Sequence, residues 1–124
     1  ADSGGAGRTR GGLAIAKQIR ARADGIVFSA RSDSHTVGVA AGVAGGDDGR
    51  RARLLRNPGT SQEQELFSKT ANIALAGGES VRIETPGGGG YGPPSERPRA
   101  RIEQDLRDGK VSGAQAASAY GYRP

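Results

Sequence analysis

Four stretches of this 124-residue sequence carry residue types whose spacing could do chemistry. Gly87–Gly92, with Tyr91 inside it, fits a G-x-G-x-x-G pattern after a strand-like run, the arrangement that cradles a dinucleotide pyrophosphate. Pro93 and Pro94 follow where such a site needs a helix start with free N–H groups, and no β-α-β pattern surrounds it. A Gly-Lys-Ser/Thr sequence is also missing, so the stretch is not a phosphate-binding P-loop. What Gly87, Gly88, Gly89 and Gly90 do offer is backbone that can approach a ligand or another subunit without side-chain obstruction, or a plain structural turn.

The second stretch is residues 32–36, where hydroxyls and Asp33 flank His35, as nucleophile–base chemistry would require. Neighbours in sequence alternate faces on a strand, so adjacency makes no relay, and a polar loop histidine is the expectation. Asp47 and Asp48 could ligate a hard cation; with glycine on both sides and no further acids nearby, a solvated turn is expected. Arg8 and Arg10 could clamp an anion or pair with a partner's carboxylates, with solvent exposure as the equal alternative.

The elements that must position these residues are short. Residues 1–12 read as a Gly-rich loop. Alternation over 13–23, the turn Asp24-Gly25 and a returning strand from Ile26 to Arg31, marked by β-branched and aromatic residues at 26–28, predict a hairpin. Arg50–Arg56 predicts a basic edge strand ended by Asn57-Pro58-Gly59. Leu66–Leu75 and Glu79–Glu84 predict a second hairpin about Ala76–Gly78, followed by an irregular loop over 87–94. Ile102 and Leu106 at helical spacing, with Ser95 as a cap and Gly109 as a stop, predict a helix over 99–108. Ser112 and Gln115 form a capping-box pattern leading into a second helix closed by Gly121. The expected fold class is α+β, mainly β: antiparallel strands and Gly-rich loops over 1–94, then a helical tail over 95–124, as a single unit packed on a larger subunit rather than an independent domain.

Composition supports that dependence. Leu, Ile, Val and Phe together supply 20 residues, a thin core, while 22 glycines raise the entropic cost of ordering. No apolar run approaches the ~20 residues of a membrane span and no signal-peptide layout is present, so a cytoplasmic protein is expected. Zero Cys and one His exclude thiolate and multi-histidine metal sites within the chain. The net charge of +5 invites a nucleic-acid reading, but five aromatic residues are too few for a stacking platform.

The run R-I-E-T-P-G-G-G-G-Y-G over residues 82–92 resembles the C-terminal signature of the hydantoinase B/5-oxoprolinase family. Residues 2–13, the Gly42–Gly46 turn, Asn57–Gly59, Leu66–Lys69 and Asp105–Ser112 resemble further elements of that family in the same order. The resemblance implies a C-terminal segment or small split subunit of an ATP-dependent complex that hydrolyses a cyclic amide. An A-type subunit would bind ATP with Mg and phosphorylate a carbonyl oxygen, and the rest of the B-type subunit would hold a divalent metal through upstream His and Asp residues. This chain would bind no cofactor and carry no catalytic residue. Gly87–Gly90 and Tyr91 would line or brace the cleft, and Arg8 and Arg10 would pair with substrate or partner acids. A related ketone carboxylase and a basic structural or nucleic-acid-binding accessory protein are the alternatives. Thr36–Ala41 stands where family members carry an aromatic or proline-containing stretch, which implies a differently shaped pocket.

Overall fold

The computed structural model describes residues 1–33, 35 and 38–123. The chain divides into two compact units, one of residues 1–14, 39–50 and 86–124, the other of residues 15–38 and 51–85. Neither boundary falls at 94/95: the helical tail belongs with the Gly-rich stretches.

The strand unit contains β1 (Ala16–Arg20), β2 (Ile26–Arg31), β3 (Arg53–Arg56), β4 (Gln64–Glu65), β5 (Lys69–Leu75) and β6 (Ser80–Glu84). Both hairpins expected from the sequence are corrected by the pairing. β1 lies antiparallel to β6 and β2 antiparallel to β5, in sheets of order β1-β6-β3-β4 and β2-β5. Residues 16–31 thus run along residues 69–84 as one ribbon that turns a corner at 21–25 and 76–79. Backbone bonds from Ala21 to Glu79 and from Gly78 to Ala21 carry the pairing into that corner.

The reason lies in side-chain size. A two-residue hairpin about Asp24-Gly25 sets Ile19 opposite Ala30 and Phe28 opposite Ala21. The observed register gives Ile19 the partner Val81 and Phe28 the partner Ile73, and larger apolar cross-strand pairs stabilise a sheet more. Asp24 then serves the corner, its Oδ1 accepting the Gly77 N–H at 2.7 Å.

β3 is an inner strand, not the basic edge the sequence predicts. It sits between β6 and β4, and Leu54 and Leu55 are buried. Ala21, Leu54, Leu66, Leu75 and Val81 form the core, with Phe28, Ala30, Ile73 and Ile83 packed against it.

The second unit is held together largely by backbone. Residues 3–12, 40–50 and 87–92 lie side by side, linked by hydrogen bonds from backbone N–H to carbonyl such as Gly5 to Gly88, Gly88 to Gly12, Asp47 to Ala6, Gly90 to Asp47 and Val43 to Gly90, all of 2.7–2.9 Å. Glycine is required at the closest approaches. A Cβ on Gly11 would stand 1.9 Å from the Gly88 oxygen, and one on Gly89 would stand 2.0 Å from the Ala41 oxygen. The loops expected at 1–12 and 87–94 are therefore irregular in conformation yet saturated in hydrogen bonds, as buried backbone must be.

A 3₁₀ turn (Pro94–Glu96) leads to α1 (Arg99–Arg107) and α2 (Gly113–Tyr120). Ser95 lies in that turn and does not cap α1; Pro98 occupies the cap position with no side-chain bond. Ser112 caps α2 as expected, its Oγ accepting the Gln115 N–H at 3.1 Å, and Gly121 ends it at φ 63°. The Ser112 N–H donates to Asp2 Oδ1 at 2.8 Å. Ile102, Val111, Ala116 and Tyr120 pack with Ala6 as the side-chain core of this unit.

Candidate functional site

The Gly-rich unit positions Tyr91 through its backbone. Tyr91 and Thr9 exchange both N–H···O bonds at 2.9 Å, and Gly92, at φ 73°, donates to Val43 while accepting from Arg8. With its main chain fixed on two sides, Tyr91 holds its ring half exposed, and the Arg8 guanidinium lies 5.7 Å from the ring centroid. That distance allows a cation–π contact. Arg8 also meets Glu96 at 3.6 Å, an exposed pair of little energetic weight.

Arg10 turns elsewhere. Its Nε donates to Asp105 Oδ2 at 3.1 Å and its Nη1 to the Gly11 carbonyl at 2.6 Å. Arg97 donates to the same Asp105 oxygen at 2.6 Å and to the Arg8 carbonyl at 3.1 Å. Asp105 is buried on α1, so two guanidinium groups share one buried carboxylate. Burial raises the pKa of nearby Tyr120 above its ordinary value, keeping its hydroxyl protonated. The structure thus brings Arg8 to Tyr91 and Arg10 to Asp105.

The four glycines Gly87–Gly90 face inward. A Cβ on each of them would meet the backbone of residues 3–6, 11–12 or 40–41 of the same unit. Their bare Cα atoms serve internal packing. Arg97 and Arg101 line one cleft with Arg8, Thr9, Arg10 and Pro98, and the sequence reading missed both. Their signal was Pro98 between them, which places Arg97 just ahead of α1 and Arg101 in its first turn.

His35 lies outside the strands and helices, as expected of a polar loop histidine. It is buried, and its Nε2 accepts the Leu54 N–H at 3.0 Å. With that nitrogen occupied by a β3 amide, its work is structural. Ser34, Thr36 and Val37 lie outside the described residues, and with them part of the hydroxyl cluster and part of the divergent 36–41 stretch. Nearby Glu65 titrates below its ordinary range; burial opposes this, and the hydrogen bond and charge of Arg51 outweigh it. Asp48 Oδ1 accepts the Gly42 N–H at 2.8 Å, bracing the 42–48 turn. Among the described residues no three His, Asp or Glu side chains converge to hold a metal ion, and no helix is long and apolar enough to cross a membrane.

Against known proteins, the family model for hydantoinase B/oxoprolinase matches residues 1–94. The chain belongs to that family. It is 33% identical over 93% of its length to a putative B-type subunit of a D-/L-hydantoinase from a Pseudomonas species, covering 19% of that protein. Among solved structures it resembles the ATP-dependent caprolactamase of Pseudomonas jessenii, with a TM-score of 0.61, 26% identity, and coverage of 98% of this chain and 21% of that one. It also resembles nucleotide-free acetone carboxylase, with a TM-score of 0.78 over 98% of this chain and 20% of that one; at 19% identity this speaks to fold alone. The chain spans about a fifth of the length of these relatives.

Proposed function

We propose that the chain is the C-terminal part of a B-type subunit, or a small split subunit, in an ATP-dependent enzyme that hydrolyses a cyclic amide. The observation that carries this reading is the match of nearly the whole chain to about a fifth of the B-type polypeptide of a hydantoinase. Hydantoins and caprolactam, named in two relatives, are both cyclic amides, and the second relative is described as ATP-dependent.

In this reading ATP, its Mg and a divalent metal belong to the A-type subunit and to the remaining B-type segment. The residues described here do not fit those groups. His35 spends its Nε2 on a backbone amide, and the Gly87–Gly90 backbone is engaged within its own unit. No step of the reaction is therefore derived through them. The contribution of this chain is rigidity and surface: the hydrogen-bonded glycine bundle braces Tyr91, and Arg8 beside it meets substrate or partner acids, while Arg10 stiffens the floor through Asp105. The isolated chain is inactive.

Native mass spectrometry of the untagged chain from its own source tests this reading. Association with two larger subunits supports it, and a folded, free monomer overturns it.

A further inference from the structure

We propose that the cleft at the start of α1 is a binding site for a phosphate-class dianion, held by Arg8, Arg10, Arg97 and Arg101. This deepens the reading of Arg8 and Arg10 given above and commits it to a ligand chemistry.

Three observations converge. The first is the helix start. α1 begins at Arg99 behind Pro98, which has no side-chain oxygen to offer, and no acidic residue stands in the first turn. The Arg101 and Ile102 N–H groups turn back to the Pro98 carbonyl, and no carboxylate in the first turn offsets the positive end of the helix, which favours an anion nearby.

The second is Arg97. Its side chain is only 9% exposed, and its guanidinium is oriented by Asp105, the Arg8 carbonyl and the Tyr120 ring at 5.8 Å. Its side chain lines the cleft, so its charge is fixed in place there before a ligand arrives.

The third is charge and room. Four arginines line a cleft of about 500 Å³, while the carboxylates touching them are Asp105, shared by two, and exposed Glu96. Two positive charges remain in excess. A planar carboxylate engages one guanidinium fork; a tetrahedral dianion presents oxygens to several at once and matches the excess. Arg10 and Arg97 are pre-oriented by Asp105, and exposed Arg8 and Arg101 are placed to close on the ligand.

The test titrates inorganic phosphate into the protein in the assembly in which it occurs, by calorimetry at constant ionic strength, with acetate as comparator. One phosphate per copy of this chain is expected, weakened at least about tenfold by Arg8→Ala with Arg101→Ala, both surface changes, and to a similar degree by Arg97→Lys, which keeps the charge and removes the fork. Unchanged stoichiometry and affinity in these variants, or acetate competing as well as phosphate, overturns the inference. Assembly is read separately by mass. A chain that assembles but takes no phosphate sinks this site alone; one that takes phosphate as a free monomer sinks the assembly reading alone.

Discussion

Gly11 and Gly12 are adjacent and identical in type, and the structure assigns them opposite tolerance to a methyl group. A Cβ on Gly11 would lie 1.9 Å from the Gly88 oxygen, whereas one on Gly12 meets nothing within 4 Å. Real Cβ atoms do not approach closer than 3.0 Å, so Gly11→Ala must displace that oxygen by at least about 1.1 Å. The Gly88 oxygen accepts the N–H of buried Gly5 at 2.8 Å, and this bond is lost in the displacement. An orphaned buried N–H costs about 1–3 kcal/mol and overpacking a further ~1–3 kcal/mol, together about 4 kcal/mol. For a chain of this length that lowers Tm by roughly 12–20 °C. Gly12→Ala, at an ordinary φ in open space, is expected to be neutral or to stabilise by about 0.5 kcal/mol through the unfolded chain. Thermal unfolding of the two variants under matched conditions decides the matter. Equal Tm values, or a larger loss at Gly12, would refute the backbone-packing account of this unit.

Three other perturbations probe separate features. Glu79 sits at the ribbon corner, where bonds from Arg56, the Ala76 N–H and Asn57 lower its pKa to about 2, against an ordinary 4.5. Because the folded value is the lower one, its contribution is complete above about pH 5 and drains away as pH falls toward about 2. Glu79→Gln should flatten that limb in urea midpoints measured across the range, and an unchanged limb would contradict the assignment. Asp105→Asn leaves two buried guanidinium groups without their shared charge and should cost about 3–5 kcal/mol in chemical denaturation; a loss under 1 kcal/mol would show that the pair is not held as described. Tyr91→Ala should lower turnover or partner association of the reconstituted enzyme while leaving the fold intact, since the ring is half exposed and its backbone bonds survive; wild-type turnover and assembly together would remove Tyr91 from the proposed role.

Much of the local structure was legible because local rules governed it. Ser112, Gln115 and Gly121 announced α2 by cap chemistry, and the β-branched and aromatic residues Ile26, Val27 and Phe28 announced β2. Pairing was not legible, since Asp24-Gly25 and Ala76–Gly78 carry the residues of hairpin turns whether they reverse a strand onto its neighbour or swing it into another sheet. The choice depended on partners more than 40 residues away, Val81 for Ile19 and Ile73 for Phe28. His35 was legible as a loop residue from its polar neighbours, whereas its burial was decided by a β3 amide 19 residues distant. At the candidate site, Arg8, Arg10 and Tyr91 were visible as residue types near glycine. Arg97 and Arg101 hid among fifteen arginines, distinguished only by where α1 begins.

The hydrogen-bonded glycine bundle also has a calorimetric consequence. Unfolding a side-chain core exposes hydrocarbon to water and raises the heat capacity, by about 0.45 cal/K/mol per Å², whereas exposing peptide groups lowers it by about 0.26. Across residues 3–12, 40–50 and 87–92 much of what unfolding uncovers is peptide, and the aliphatic surface of the unit comes mainly from Ile102, Leu106 and Val111. Its heat-capacity increment per residue falls below the usual ~12–15 cal/mol/K, and its stability curve is correspondingly shallow. Such a unit changes in stability more gradually with temperature than one held by a side-chain core alone, because less of its cohesion comes from the hydrophobic effect.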